Sequence, residues 1–173
     1  GIQKWDETQD AIACTVSHEK AHNQTSIEVL NSGGPCTLVP LKNAAEGNFQ
    51  SAVVWMEHRS RAKRLMDVSE KDFSNQLSLR TNYILGQCKL TSKRESYSVV
   101  TQLANKFYDK RIALIAESAH VMPPIGAQGL NTSFEDIALL TDMIKKAHLN
   151  HFDIGTYALL KSYGETRRRK TLS

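Results

Sequence analysis

The sequence has little cysteine, little proline and no long apolar run. Its three cysteines, Cys14, Cys36 and Cys88, lie far apart and form no Cys-x-x-Cys pair. That spacing argues against a disulfide framework or a structural zinc site and fits a reducing compartment. Apolar runs stop at five residues, as in Ile112-Ala113-Leu114-Ile115-Ala116, far short of the roughly 18 that a membrane helix needs. Nine glycines and four prolines in 173 residues exclude a low-complexity, disordered chain. The start, Gly1 to Asp6, lacks the apolar segment of a signal peptide. It also lacks an initiating Met, so the chain is expected to be a processed product or a segment of a longer one.

Charge of one sign is also scarce. There are 22 basic and 18 acidic residues, a net charge of +4. Arg167-Arg168-Arg169-Lys170 supplies four of the 22, and without that run the balance is 18 against 18. A neutral body with one basic run does not make the basic face that phosphate backbones need, so no nucleic-acid partner is expected. The run reads as the solvated end of a C-terminal helix, where cations suit the macrodipole.

The first third alternates at period two. Asp10–Ser17 places Ile12, Cys14 and Val16 on one face, and Gln24–Leu30, Cys36–Pro40 and Phe49–Glu57 follow as strands. Asn31–Pro35 reads as a turn and 43–48 as a polar loop. This is an antiparallel meander. The middle changes period. Ser60–Met66 reads as a short helix. Ser69, with Asp72 three residues on, caps a second helix whose stripe is Phe73, Leu77, Arg80 and Ile84, with Gly86 at its end. Lys89–Val99 returns to strand, and 106–110 is a turn. In the last third, Arg111–Glu117 reads as a buried strand and Val121–Gly129 as a loop. A helix over about Leu130–His148 places Phe134, Ile137, Ala138, Thr141 and Ile144 inward, with Leu140, Met143 and Ala147 widening the face. A final helix capped by Asp153 carries Tyr157, Leu160 and Tyr163. The fold class is therefore α+β: a mainly antiparallel sheet with flanking helices, then a strand-loop-helix and C-terminal helices.

Chemistry concentrates in Arg111–Asp136. Glu117 falls at the carboxyl end of the expected strand, where a carboxylate accepts hydrogen bonds from ligand hydroxyls. Pro123-Pro124 stiffens the loop and removes two backbone donors. Gly126 and Gly129 let backbone approach a ligand without a Cβ clash. The helix N-terminus near Gly129-Leu130-Asn131 aims free N–H groups and a positive dipole end at the same place. The arrangement suits a planar ligand that becomes anionic in the reaction.

The stretch Ala116-Glu117-Ser118-Ala119-His120-Val121-Met122-Pro123-Pro124-Ile125-Gly126-Ala127-Gln128-Gly129-Leu130-Asn131 resembles the second flavin-binding motif of the aromatic-ring flavoprotein monooxygenases with the para-hydroxybenzoate hydroxylase fold. That motif reads close to Gly-Asp-Ala-Ala-His-x-x-Pro-Pro-x-x-Gly-x-Gly-Leu-Asn. Within the family, the chain is most similar to the ubiquinone-biosynthesis hydroxylases. The resemblance implies that Glu117 replaces the Asp that binds the ribityl chain of FAD. It implies that Pro124 lines the flavin ring and substrate cavity as the catalytic-site residue. Gly126, Gly129, Leu130 and Asn131 become cofactor-binding, the last three facing the pyrimidine edge of the flavin. It further implies NAD(P)H as co-substrate, a polyprenyl phenol as substrate, and a ubiquinone-biosynthesis complex as partner. The implied localisation is cytoplasmic, with peripheral contact at the inner membrane.

Departures from the family are informative. Gly-Asp is Ala116-Glu117, with an acid one methylene longer, and Ser118 stands for Ala. The Gly-x-Gly-x-x-Gly turn of a Rossmann unit is absent, as is the central Asp-Gly motif. The chain is therefore expected to be the middle and C-terminal part of a longer enzyme, inactive alone. Residues 1–104 would form the substrate-binding domain and 105–173 the C-terminal part of the FAD-binding domain. Glu117 as a plain strand-end acid, a small aromatic substrate, and a non-catalytic quinone-binding or scaffold module are the competing readings. His120 beside a tight turn reads as a structural donor. His18 and His22 read as surface loop histidines and not as metal ligands, and no metal site is expected. Glu135 and Asp136 read as ordinary first-turn helix acids.

Overall fold

The computed structural model describes residues 1–31, 33–42, 48–126 and 128–172. Ser32 of the expected turn, most of the expected 43–48 loop and Ala127 of the motif lie outside the described residues. The chain forms two compact units, Thr8–Val99 and Gly1–Glu7 with Val100–Ser173. Strands β1 (Ile2–His18) and β6 (Glu95–Ala104) run from one into the other. The architecture is α+β with a mainly antiparallel sheet.

In the Thr8–Val99 unit, β2 (Ile27–Asn31), β3 (Gly34–Pro40) and β4 (Phe49–His58) are consecutive antiparallel neighbours, and β1 lies on the far side of β4. The expected meander thus closes back on the first strand. Ile12 faces Trp55, Cys14 faces Val53, and Cys36 and Leu38 face the same two residues from β3. Period two sends all six to one face, where α1 (Arg59–Asp67) and α2 (Glu70–Arg80) cover them with Ala62, Leu65, Phe73 and Leu77. Each fully buried large side chain contributes about 1.5–3 kcal/mol relative to exposure. The three cysteines are free thiols within this core. Burial pushes Cys14 and Cys36 up to about 12 and raises Cys88 as well, so all three stay protonated packing groups.

Several local expectations hold here. Ser69 caps α2, its Oγ accepting from the Asp72 N–H at 3.1 Å. The end of α2 differs: it stops at Arg80, because Asn82 and Tyr83 both take φ near +51. Ile84 is therefore outside the helix and exposed. The expected strand Lys89–Val99 is two strands, β5 (Cys88–Leu90), which pairs with β1, and β6. Arg94 breaks the run: it donates to Leu65 O at 2.6 Å and Val68 O at 2.9 Å, taking up carbonyls at the end of α1, and lies over Phe73. His18 is not a surface residue. It is buried, paired through Nε2 with Ser51 Oγ at 2.9 Å and through Nδ1 with Lys20 O at 2.9 Å, and burial lowers its pKa.

In the second unit, β9 (His120–Val121) pairs with β6, Leu103 opposite His120. A short hairpin joins β7 (Tyr108–Asp109) to β8 (Ile112–Ala113). Helices α3 (Gln128–Leu149) and α4 (Tyr157–Thr171) complete it. Leu103, Ala104, Phe107, Ala119 and Tyr163 form its core, with Leu139, Leu140 and Met143 of α3 packed on them. The strand expected over Arg111–Glu117 is only two residues long, and Ile112 is exposed. Its ladder partner is the two-residue β7, and Ala116 then turns the chain with φ +53 into a 3₁₀ turn, Ala116–Ser118. The α3 face also differs. Phe134 and Ile137 are exposed, while Asp136 and Ala147 are buried and Leu139, Leu140 and Met143 half-buried. Thr156, not Asp153, caps α4; Asp153 instead binds Arg111 Nη1 at 2.7 Å. Among the described residues no helix is long and apolar enough to cross a membrane.

These packing assignments are measurable. Leu77→Ala is expected to lower unfolding free energy by about 2–5 kcal/mol, and Ile84→Ala to change it by less than about 0.5 kcal/mol, in denaturant titrations. Equal effects would return α2 to its longer form. A water-soluble thiol reagent at neutral pH should leave Cys14 and Cys36 unmodified until denaturant is added.

Candidate functional site

The 3₁₀ turn, the proline loop and the start of α3 surround a cavity of about 490 Å³. Its wall includes Ala116, Glu117, His120, Met122, Gly129 and Leu130. Of the residues expected to bind cofactor, Glu117, Gly129 and Leu130 meet on this wall. Pro124, Gly126 and Asn131 are exposed nearby and do not line it.

Each wall element has a local cause. Ser118 closes the 3₁₀ turn: its Oγ donates to Ile115 O at 2.6 Å and accepts from Ile115 N at 3.1 Å. Glu117 projects from that turn as an exposed carboxylate, not from a strand end as expected. In the loop, the Ile125 N–H returns to Pro123 O at 2.8 Å, and Gly126 takes φ +60, a conformation glycine adopts without cost. Thr132 Oγ1 reaches Met122 Sδ at 3.8 Å, tying loop to helix. The first N–H groups of a helix have no partner within it, so those at the start of α3 carry the positive end of its dipole beside the cavity. A Cβ built on Gly129 would meet nothing within 4 Å. The chain's own packing does not require glycine there, although glycine within a helix costs about 1 kcal/mol relative to alanine.

Behind this wall lies a charge network that the sequence reading did not identify. Asp136 is fully buried. Its Oδ1 accepts from Arg167 Nε at 2.6 Å, and its Oδ2 accepts from the Ala116 N–H at 2.9 Å and from His120 Nε2 at 2.7 Å. Arg167, 1% exposed, also binds Glu135 at 2.7 Å and Thr132 O at 3.1 Å. Burial opposes the Arg167 charge, but the Asp136 and Glu135 carboxylates outweigh it and hold its pKa above the usual arginine value. Asp136 is therefore no ordinary first-turn acid, and Arg167 is no solvated end of a basic run. His120 is the structural donor expected of it. The missed signal was spacing: Asp136 precedes Leu139, Leu140, Met143 and Ala147 at 3, 4, 7 and 11 residues, and Arg167 follows Leu160 and Tyr163 at 7 and 4. A charge on each buried stripe marks a buried pair. Ala116, a non-glycine residue at φ +53, stores about 1–2 kcal/mol that this bonding offsets.

Against this geometry, comparison with known proteins defines the class. The model of the FAD binding domain matches residues 3–171, and the chain belongs to that family. Among individual relatives, it is 33% identical over 172 residues to ubiquinone hydroxylase UbiL of Rhodospirillum rubrum, covering 99% of this chain and 39% of the relative. It is 26% identical over 158 residues to ubiquinone hydroxylase UbiM of Neisseria meningitidis, covering 91% and 33%. The crystal structure of Pseudomonas aeruginosa PqsL in complex with 2-aminobenzoylacetate superposes with a TM-score of 0.72 at 16% identity, over 98% of this chain and 46% of that one; this likeness concerns the fold. The chain thus spans about two fifths or less of the length of these two hydroxylases.

The ion pair supplies a stability test. Arg167→Ala leaves Asp136 buried without its cation and is expected to cost about 3–5 kcal/mol in thermal or denaturant unfolding, whereas Arg169→Ala on the exposed side of α4 stays within about 0.5 kcal/mol.

Proposed function

We propose that the polypeptide carrying this chain is an FAD-dependent monooxygenase that hydroxylates a polyprenylated phenol ring in ubiquinone biosynthesis, using NAD(P)H and O₂. One observation carries the reading: Glu117, Gly129 and Leu130, brought from a turn and a helix, share the wall of one cavity at the positive end of α3. The family membership and the names of the two hydroxylases above support the same conclusion.

These residues fit the cofactor. Glu117 offers a solvent-facing acceptor for ribityl hydroxyls. The open space over Gly129 admits a flat ring close to the backbone. The N–H groups of Gly129, Leu130 and Asn131 would hold the pyrimidine edge and favour negative charge there. Gly126 shapes the loop, and Pro124, exposed beside the cavity, would offer a rigid apolar surface toward ring and substrate. FAD, when bound, supplies the electron transfer and oxygen chemistry. The chain's own contribution is to bind the ring, orient it and exclude water from one side.

On this reading residues 1–104 belong to the substrate-binding domain and 105–173 to the FAD-binding domain. The exposed Leu130, Phe134 and Ile137 of α3 then form a face covered by the remainder of the longer enzyme, since exposed apolar patches of this kind mark docking surfaces. The exposed Arg169 and Lys170 favour peripheral contact with an anionic bilayer close to the lipidic substrate, within a biosynthetic assembly.

The full-length polypeptide should purify with bound flavin and convert a prenylated phenol to its hydroxylated product with NADH or NADPH. Glu117→Ala should weaken FAD binding about tenfold, the equivalent of one charge-assisted hydrogen bond. A colourless full-length protein that fails to take up added FAD would refute the proposal.

A further inference from the structure

We infer that Asp136 is a positioning residue for the flavin site: through the Ala116 N–H it sets where Glu117 stands relative to the start of α3. This inference rests on the flavin reading above. Asp136 itself lies on α3, seven residues or about two turns beyond Gly129. Its Oδ2 reaches across to the 3₁₀ turn and takes the amide directly before Glu117. One side chain therefore links the helix whose N-terminus faces the cavity to the turn that carries the carboxylate.

The remaining members keep that side chain still. Arg167 donates to Asp136, Glu135 and Thr132 O, so its guanidinium grips one turn of α3 from α4. His120, on β9, shares Oδ2 with Ala116 and fixes the carboxylate from the sheet side. Ser118 closes the turn locally but does not place it against α3; the Asp136 bond does. Charge is needed as well as shape. An asparagine at this position has one acceptor where the native residue uses two, and its amide group would face the N–H of Ala116 or of Arg167, donor against donor. Neither arrangement holds helix, turn and Arg167 together.

A double-mutant cycle on FAD affinity in the full-length apoprotein, read by flavin fluorescence, separates positioning from general support. Glu117→Ala and Asp136→Asn should each weaken FAD about tenfold, and together still only about tenfold, because Asp136 acts through Glu117. The visible circular dichroism of bound flavin should change equally in both single variants. An additive loss of about a hundredfold, or no loss in a folded Asp136→Asn protein, overturns the inference while leaving the flavin reading intact. A wild-type protein that binds no FAD overturns the flavin reading and this role with it. Where Asp136→Asn does not fold, His120→Asn keeps the Arg167 pair and runs the same cycle: a loss absorbed by Glu117→Ala supports the role, and an additive one overturns it.

Discussion

The pairing of Asp136 with Arg167 is the interaction on which the unit of Gly1–Glu7 and Val100–Ser173 depends. A carboxylate without solvent exposure is tolerated only when its charge is matched and its lone pairs are filled. Here a guanidinium, an imidazole N–H and a backbone amide fill them. The consequence is geometric. Because the acid must reach Arg167, α3 is rotated so that Asp136, Leu139, Leu140, Met143 and Ala147 point inward and Phe134 and Ile137 point out. The same bonds hold the left-handed Ala116 and the turn that presents Glu117. One electrostatic requirement thus sets helix rotation, loop conformation and the shape of the cavity together.

The Thr8–Val99 unit is organised by apolar burial. Alternation places the six sheet residues and the helix residues of α1 and α2 in one core, and the thiols of Cys14, Cys36 and Cys88 serve as packing groups within it. Polar groups act at the edges. Arg94 takes up the carbonyls of Leu65 in α1 and of Val68 just beyond it, and so interrupts what would be a continuous strand. Ser69 starts α2, and two left-handed residues after Thr81 end it.

Much of this was legible in the sequence because it is local. Period-two alternation at Ile12, Cys14 and Val16 depends on neighbouring residues, as does the Ser69 cap. The rigid loop and helix start of the sixteen-residue motif were legible for the same reason, as a contiguous stretch carries them in order; the turn at Ala116–Ser118 stands where a strand end was expected. Errors arose wherever a distant residue decided the outcome. The apolar run Ile112–Ile115 has the composition of a buried strand, yet among the described residues its ladder partner is the two-residue β7. Phe134 and Ile137 have the spacing of a core stripe, but a second stripe on the same helix contains the acid that Arg167 claims.

The sequence by itself determined the α+β class, the antiparallel sheet, most helix positions and the segment that resembles a flavin-binding motif. Each is written in periodicity, capping or a contiguous motif, which are properties of residues close along the chain. Only the tertiary structure decided that Asp136 is buried, that Arg167 leaves its basic run to meet it across 31 residues, and that Glu117 stands on a turn facing the start of α3. Those outcomes depend on desolvating a charge, and desolvation is set by the elements folding brings together, not by sequence neighbours.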